Sequence, residues 1–176
     1  GLTTADFDLD GLPDLAVANS SDDTVSVLIQ DDSTTPMSFT RTDLATDSHH
    51  GTPGDAVPVD VAAAQFIAGG GPDLAIANLG DGTVIFYENM WSPVTAVGFE
   101  LAGEPSLPPA PPSDIDPTDV DDDKGVGCTV LSGPGGSEST NTDPLRRGGG
   151  DVWTEYPVGS LPVGHALGDL NGDGEG

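Results

Sequence analysis

Apolar residues along this chain come in short runs, rich in β-branched side chains and bounded by Asn, Asp, Gly and Ser. Leu15-Ala-Val-Ala-Asn19 is apolar or small at consecutive positions, so Leu15 and Val17 share one face of an extended segment and Ala16 and Ala18 the other. Apolarity on both faces predicts a strand buried on both sides, and small alanines predict close approach of a neighbouring layer. Thr24-Val-Ser-Val-Leu-Ile29 follows as a second strand, joined through Ser20-Ser-Asp-Asp23. Both runs are too short and too β-branched for a helix, and the connection predicts a hairpin that begins at Asn19.

The same arrangement returns further along. The shift that carries Asp14 to Asn19 onto Asp73-Leu-Ala-Ile-Ala-Asn78 also carries Pro13 onto Pro72, Phe7 onto Phe66 and Thr24-Val25 onto Thr83-Val84. Leu79-Gly-Asp-Gly82 then joins the second pair of strands, Thr83 to Glu88 completing it. Phe39 and Phe99 are expected in following strands, and Val59 to Ala63 and Val163 to Leu167 in the strands that enter the next loops. Internal repetition of this kind predicts stacked supersecondary units.

What precedes the first repeated strand brings in chemistry. Four carboxylates, Asp6, Asp8, Asp10 and Asp14, fall within the nine residues Asp6-Phe-Asp-Leu-Asp-Gly-Leu-Pro-Asp14. Two carboxylates about 4 Å apart repel by about 4 kcal/mol at an effective dielectric of about 20, so a compact loop of this composition calls for a cation. With the carbonyl of Leu12 the four side chains supply most of the roughly six to eight oxygens a calcium ion takes, and Gly11 allows the tight turn. Asp169-Leu-Asn-Gly-Asp-Gly174 repeats the pattern, with Asp169, Asn171 and Asp173 as candidate ligands. An EF-hand is excluded: it needs a bidentate Glu at its twelfth position and flanking helices, whereas the twelfth residue from Asp6 is Val17 within a strand. The middle copy has lost this chemistry. Gln65, Ile67 and Gly69 stand where Asp6, Asp8 and Asp10 stood, and only Asp73 remains. That loop is expected to hold no ion and to be kept in shape by backbone turns alone.

Composition narrows the partners. Thirty acidic residues face four basic ones, for a formal charge of −26. Such a field repels nucleic acid and anionic membranes and attracts cations; Arg146-Arg147, without nearby aromatics, makes no nucleic-acid patch. No run is long and apolar enough to insert into a membrane. Cys128 is the sole cysteine and reads as a small apolar residue. The histidines, His49, His50 and His165, sit beside no nucleophile, and neither GxSxG nor HExxH occurs, so no enzyme activity is expected. Asn19-Ser-Ser21 is a glycosylation sequon whose Asn is equally placed to close the turn. From Pro105 to Gly150 the chain is dense in Pro, then Asp, then Gly and Ser, which predicts a low-complexity, mobile insertion over 103–150, with one short strand within Val126 to Leu131.

Asp6 to Asn19, the degenerate copy Gln65 to Asn78, and Pro162 to Gly174 together resemble the FG-GAP/VCBS repeat family, the β-propeller repeats of the integrin alpha head and of many secreted bacterial and archaeal proteins. The resemblance covers the chain apart from 103–150. It implies an all-β fold of β-propeller blades, about two and a half repeats of an incomplete propeller. The expected units are a blade with a calcium loop at 1–58, a degenerate blade at 59–102, the insertion, and the start of a further repeat at 151–176. It implies Ca2+ as the bound ion, an extracellular or cell-surface setting, a structural or adhesive role with a protein or glycan partner, and open blade edges through which copies can associate. The alternatives of other classes are the non-catalytic propeller scaffold of a secreted carbohydrate-active enzyme and the subunit of a self-assembling surface filament.

Overall fold

The computed structural model describes residues 1–31, 37–46, 55–67, 69–90, 98–102, 108, 111–118, 127–132, 137–141 and 153–157. Among them the fold is all-β, with no helix and with three separate four-stranded antiparallel sheets. The first is built in sequence order from β1 (Leu2–Ala5), β2 (Asp14–Asn19), β3 (Thr24–Asp31) and β4 (Ser38–Ala45). The second follows with β5 (Pro58–Ala64), β6 (Asp73–Asn78), β7 (Thr83–Asn89) and β8 (Phe99–Leu101). The third comprises β9 (Pro112–Thr118), β10 (Gly127–Ser132), β11 (Ser137–Asn141) and β12 (Trp153–Pro157). No closed sheet is formed among the described residues.

Positions related by the sequence shift share a strand register. Leu2 faces Val17 across the first strand pair, and Val61 faces Ile76 at the equivalent place in the second sheet. Both hairpins are closed by the Asn that ends the strand: Asn19 Nδ2 donates to Thr24 Oγ1 at 3.2 Å, and Asn78 Nδ2 to Thr83 Oγ1 at 3.1 Å. Asn19 also donates to Ser26 Oγ at 2.7 Å, so the sequon asparagine spends its amide on the turn and the adjoining strand. Each connection ends in a left-handed residue, Asp23 with φ 49° in the first and Gly82 with φ 74° in the second.

The sheets stack face to face, always with the same face forward. Ala16, Val25, Val27 and Leu44 of the first sheet meet Val61, Leu74, Ile76 and Ile85 of the second, with Phe7 from the loop before β2 buried among them. Ala62, Ala75, Ala77, Val84 and Phe86, on the opposite face of the second sheet, meet Ile115, Cys128 and Val130 of the third. The second sheet is therefore a buried middle layer, and every residue of β6 is buried. Two-sided burial, expected for both repeated strands, holds for β6 only. In β2 Asp14 and Ala16 are buried while Leu15 and Val17 are half-buried, because no sheet among the described residues covers that face.

The expectation of a mobile insertion over 103–150 is corrected for its described residues. β9, β10 and β11 all fall within it and form a sheet with β12. Proline density argued against strands there. However, Pro112 and Pro117 lie on β9, an outer strand of its sheet, where a missing N–H costs no ladder bond on the open side. Ile115, Cys128, Val130 and Leu131 supply the buried apolar side chains. Trp153–Pro157, expected within the further repeat at 151–176, is the last strand of this third sheet. The predicted short strand at 126–131 is β10.

Candidate metal centre

The loop Asp6 to Pro13 joins the first two strands of the first sheet and is organised by its own carboxylates. Asp6 Oδ1 accepts from Asp10 N–H at 3.0 Å and Asp6 Oδ2 from Gly11 N–H at 2.9 Å. Asp8 Oδ1 accepts from Asp10 N–H at 3.2 Å, and Asp10 Oδ1 from Leu12 N–H at 2.8 Å. Two residues take left-handed backbone to close the turn, Gly11 with φ 91° and Leu9 with φ 57°. Leu9 has to bear the strain that glycine avoids.

Asp14 is the fixed point. It is fully buried at the head of β2, and both of its oxygens are engaged by backbone: Oδ2 accepts from Phe7 N–H at 2.8 Å and Oδ1 from Gln30 N–H at 2.7 Å. One side chain thus ties the start of the loop to the end of β3. Within this frame Asp6, Asp8 and Asp14 each bring one carboxylate oxygen to within 4.8 Å of the others. Asp10, expected as a fourth ligand, does not join that cluster, and Leu12, expected to give its carbonyl, is anchored through its N–H to Asp10. Asp169, Asn171 and Asp173 lie outside the described residues.

The residues fit a hard divalent cation. Burial raises the Asp14 carboxyl above the usual range, against two backbone N–H groups that lower it, and the charges of Asp10 and Asp6 raise it further. Burial likewise raises Asp8, with Asp10, Asp14 and Asp6 adding repulsion. All three donors are oxygens, which suit Ca2+ or Mg2+ rather than thiolate-seeking metals. A cation among them would neutralise the mutual repulsion.

The second repeat presents the same frame without the cluster. Asp73 is buried at the head of β6; its Oδ2 accepts from Ile67 N–H at 2.7 Å and its Oδ1 from Asn89 N–H at 2.8 Å. Sequence reasoning counted Asp14 and Asp73 as a ligand kept and a ligand stranded. Their shared role is to latch the loop to the third strand of the sheet, and the signal was legible in Asp73 persisting after its acidic neighbours had gone. The first loop also meets the second sheet: Asn89 Nδ2, at the end of β7, donates to the Phe7 carbonyl at 2.8 Å. A Cβ on Gly71 would stand 2.7 Å from that same carbonyl oxygen, so only glycine allows the approach.

Comparison with protein-family models finds no match to the chain, and comparison with curated proteins finds none either. No helix among the described residues is long and apolar enough to cross a membrane.

Proposed function

We propose that this chain is a calcium-stabilised β-repeat segment of the FG-GAP/VCBS type, in which the ion gives rigidity rather than reactivity. The observation that carries the reading is the convergence of Asp6, Asp8 and Asp14 within 4.8 Å on a loop already pinned by the Asp14 latch. Three carboxylates gathered so closely are destabilising alone and stabilising around a divalent ion. The repeated stacking, with the forward face of one sheet on the rear face of the next, supports a blade-like arrangement. Head-to-tail contacts of this kind either close into a ring or continue. On this reading the segment is an extracellular scaffold that presents its loops and edges to a protein or glycan partner, and the acidic surface keeps nucleic acid away.

Thermal unfolding with calcium and with chelator tests the metal. Calcium at about one hundred times its Kd should add about 2.7 kcal/mol, seen as a raised midpoint. Asp8→Ala should remove most of that response while sparing the fold, since Asp8 holds only Asp10 N–H, at 3.2 Å, whereas Asp14 holds two strands together. Equal midpoints for the wild-type protein under both conditions would refute the reading.

A further inference from the structure

The second loop is expected from sequence to rest on backbone turns alone, and it does not. Gln65 reaches into it and donates from a single atom, Nε2, to the carbonyls of Ile67 at 2.6 Å, Gly69 at 2.7 Å and Gly71 at 3.3 Å. These acceptors come from alternate residues. Under the shift that superposes the repeats they are the positions of Asp8, Asp10 and Leu12, and Gln65 falls on Asp6. The backbone is bent to aim the carbonyls inward: Gly69 has φ 125° and Gly70 φ 54°, conformations that side chains other than glycine rarely adopt. Which end of the amide points in follows from chemistry, because Oε1 in that place would set four oxygens against one another and Nε2 offers two N–H groups.

We propose that the Gln65 side-chain amide is the second loop's built-in counterpart of a bound cation, and that a carboxylate in its place turns loop 65–73 into a divalent-cation site. In the first loop a full double charge would balance carboxylates. In the second, carbonyl dipoles replace the carboxylates, and the partial positive charge of an amide suffices to gather them. Ile67 is then held from both sides, its N–H by Asp73 and its carbonyl by Gln65. The repeat keeps its loop whether or not an ion is present. The likeness to an ion rests on the proposed role of loop 6–14, whereas the clamp itself does not.

Gln65 is exposed, so its variants should fold. Amide hydrogen exchange at Ile67 is the readout, measured on the whole chain with calcium and with chelator. Gln65→Met keeps the length and removes both donors; exchange at Ile67 should rise by about tenfold under either condition. Gln65→Glu sets an anion against the carbonyls, so the loop should loosen in chelator and tighten again with calcium at about millimolar concentration. Unchanged exchange in Gln65→Met, or a Gln65→Glu loop that calcium fails to tighten, overturns the proposal. The metal reading of loop 6–14 fails by a different result, the absence of a calcium response in the wild-type protein.

Discussion

Loops 6–14 and 65–73 have the same frame and opposite chemistry. Each begins after an outer strand, ends at a fully or almost fully buried aspartate, and is tied by that aspartate to the end of the third strand of its sheet. Inside the frame one loop collects carboxylates and the other collects carbonyls around an amide. The difference separates two roles that a run of aspartates merges. Asp14 and Asp73 fold the sheet, while Asp6 and Asp8 gather beside Asp14 in one loop only, the cluster on which the proposed metal reading rests.

The sharpest way to break this comparison is to remove the latches. Asp14→Ala and Asp73→Ala each leave two backbone N–H groups without their carboxylate, and each should cost about 2–5 kcal/mol, read as a lower denaturant midpoint. Only Asp14→Ala should also abolish the calcium response. A calcium response lost equally in Asp73→Ala would mean that the loops act as one unit through the Asn89 to Phe7 contact.

A second contrast lies between the two sheet interfaces. The contact between the second and third sheets carries Asp60 of β5, whose Oδ2 accepts from Ile115 N–H at 3.1 Å and whose carboxyl hydrogen-bonds that of Asp114 on β9. Burial, and next the Asp114 carboxyl, push Asp60 up to about 6. A raised folded-state value means that the folded protein holds this proton more tightly. The stability it contributes is therefore full below about pH 4, the unfolded value, and is lost as pH rises through about 6. Asp60→Asn imitates the protonated acid and should flatten this part of the pH profile of the denaturant midpoint. An unchanged profile would remove Asp60 as its source.

The smallest expected effect concerns the turns. Gly82→Ala brings its Cβ only into ordinary van der Waals contact with Pro111 at 3.8 Å, so the cost is the left-handed backbone alone, about 1 kcal/mol. The first repeat already bears this strain at Asp23, where the side chain recovers part of it by accepting from Val57 N–H at 2.7 Å.

Much of this was legible in the chain. Leu15 to Asn19 and Leu74 to Asn78 announced paired strands, and the four-residue connections announced hairpins, because turn chemistry and β-branching act locally. Three of the four clustered aspartates do meet, since a loop this short leaves them little room to separate. The third sheet was hidden because Pro and Asp density signals disorder by composition, whereas burial of Ile115, Cys128 and Val130 depends on a neighbouring sheet. The Gln65 clamp was hidden for a similar reason, since glutamine has no fixed partner until the backbone turns three carbonyls toward it.

The sequence by itself determined that the chain is β, that it repeats, and that one loop concentrates negative charge. These properties follow from backbone preference and covalent spacing. Only the tertiary structure decided that Asp14 and Asp73 are latches and that β6 is buried on both faces while its near-identical twin β2 is not. Burial and hydrogen bonding between distant segments depend on what stands opposite a residue, and a strand's own sequence does not say what its neighbour will be.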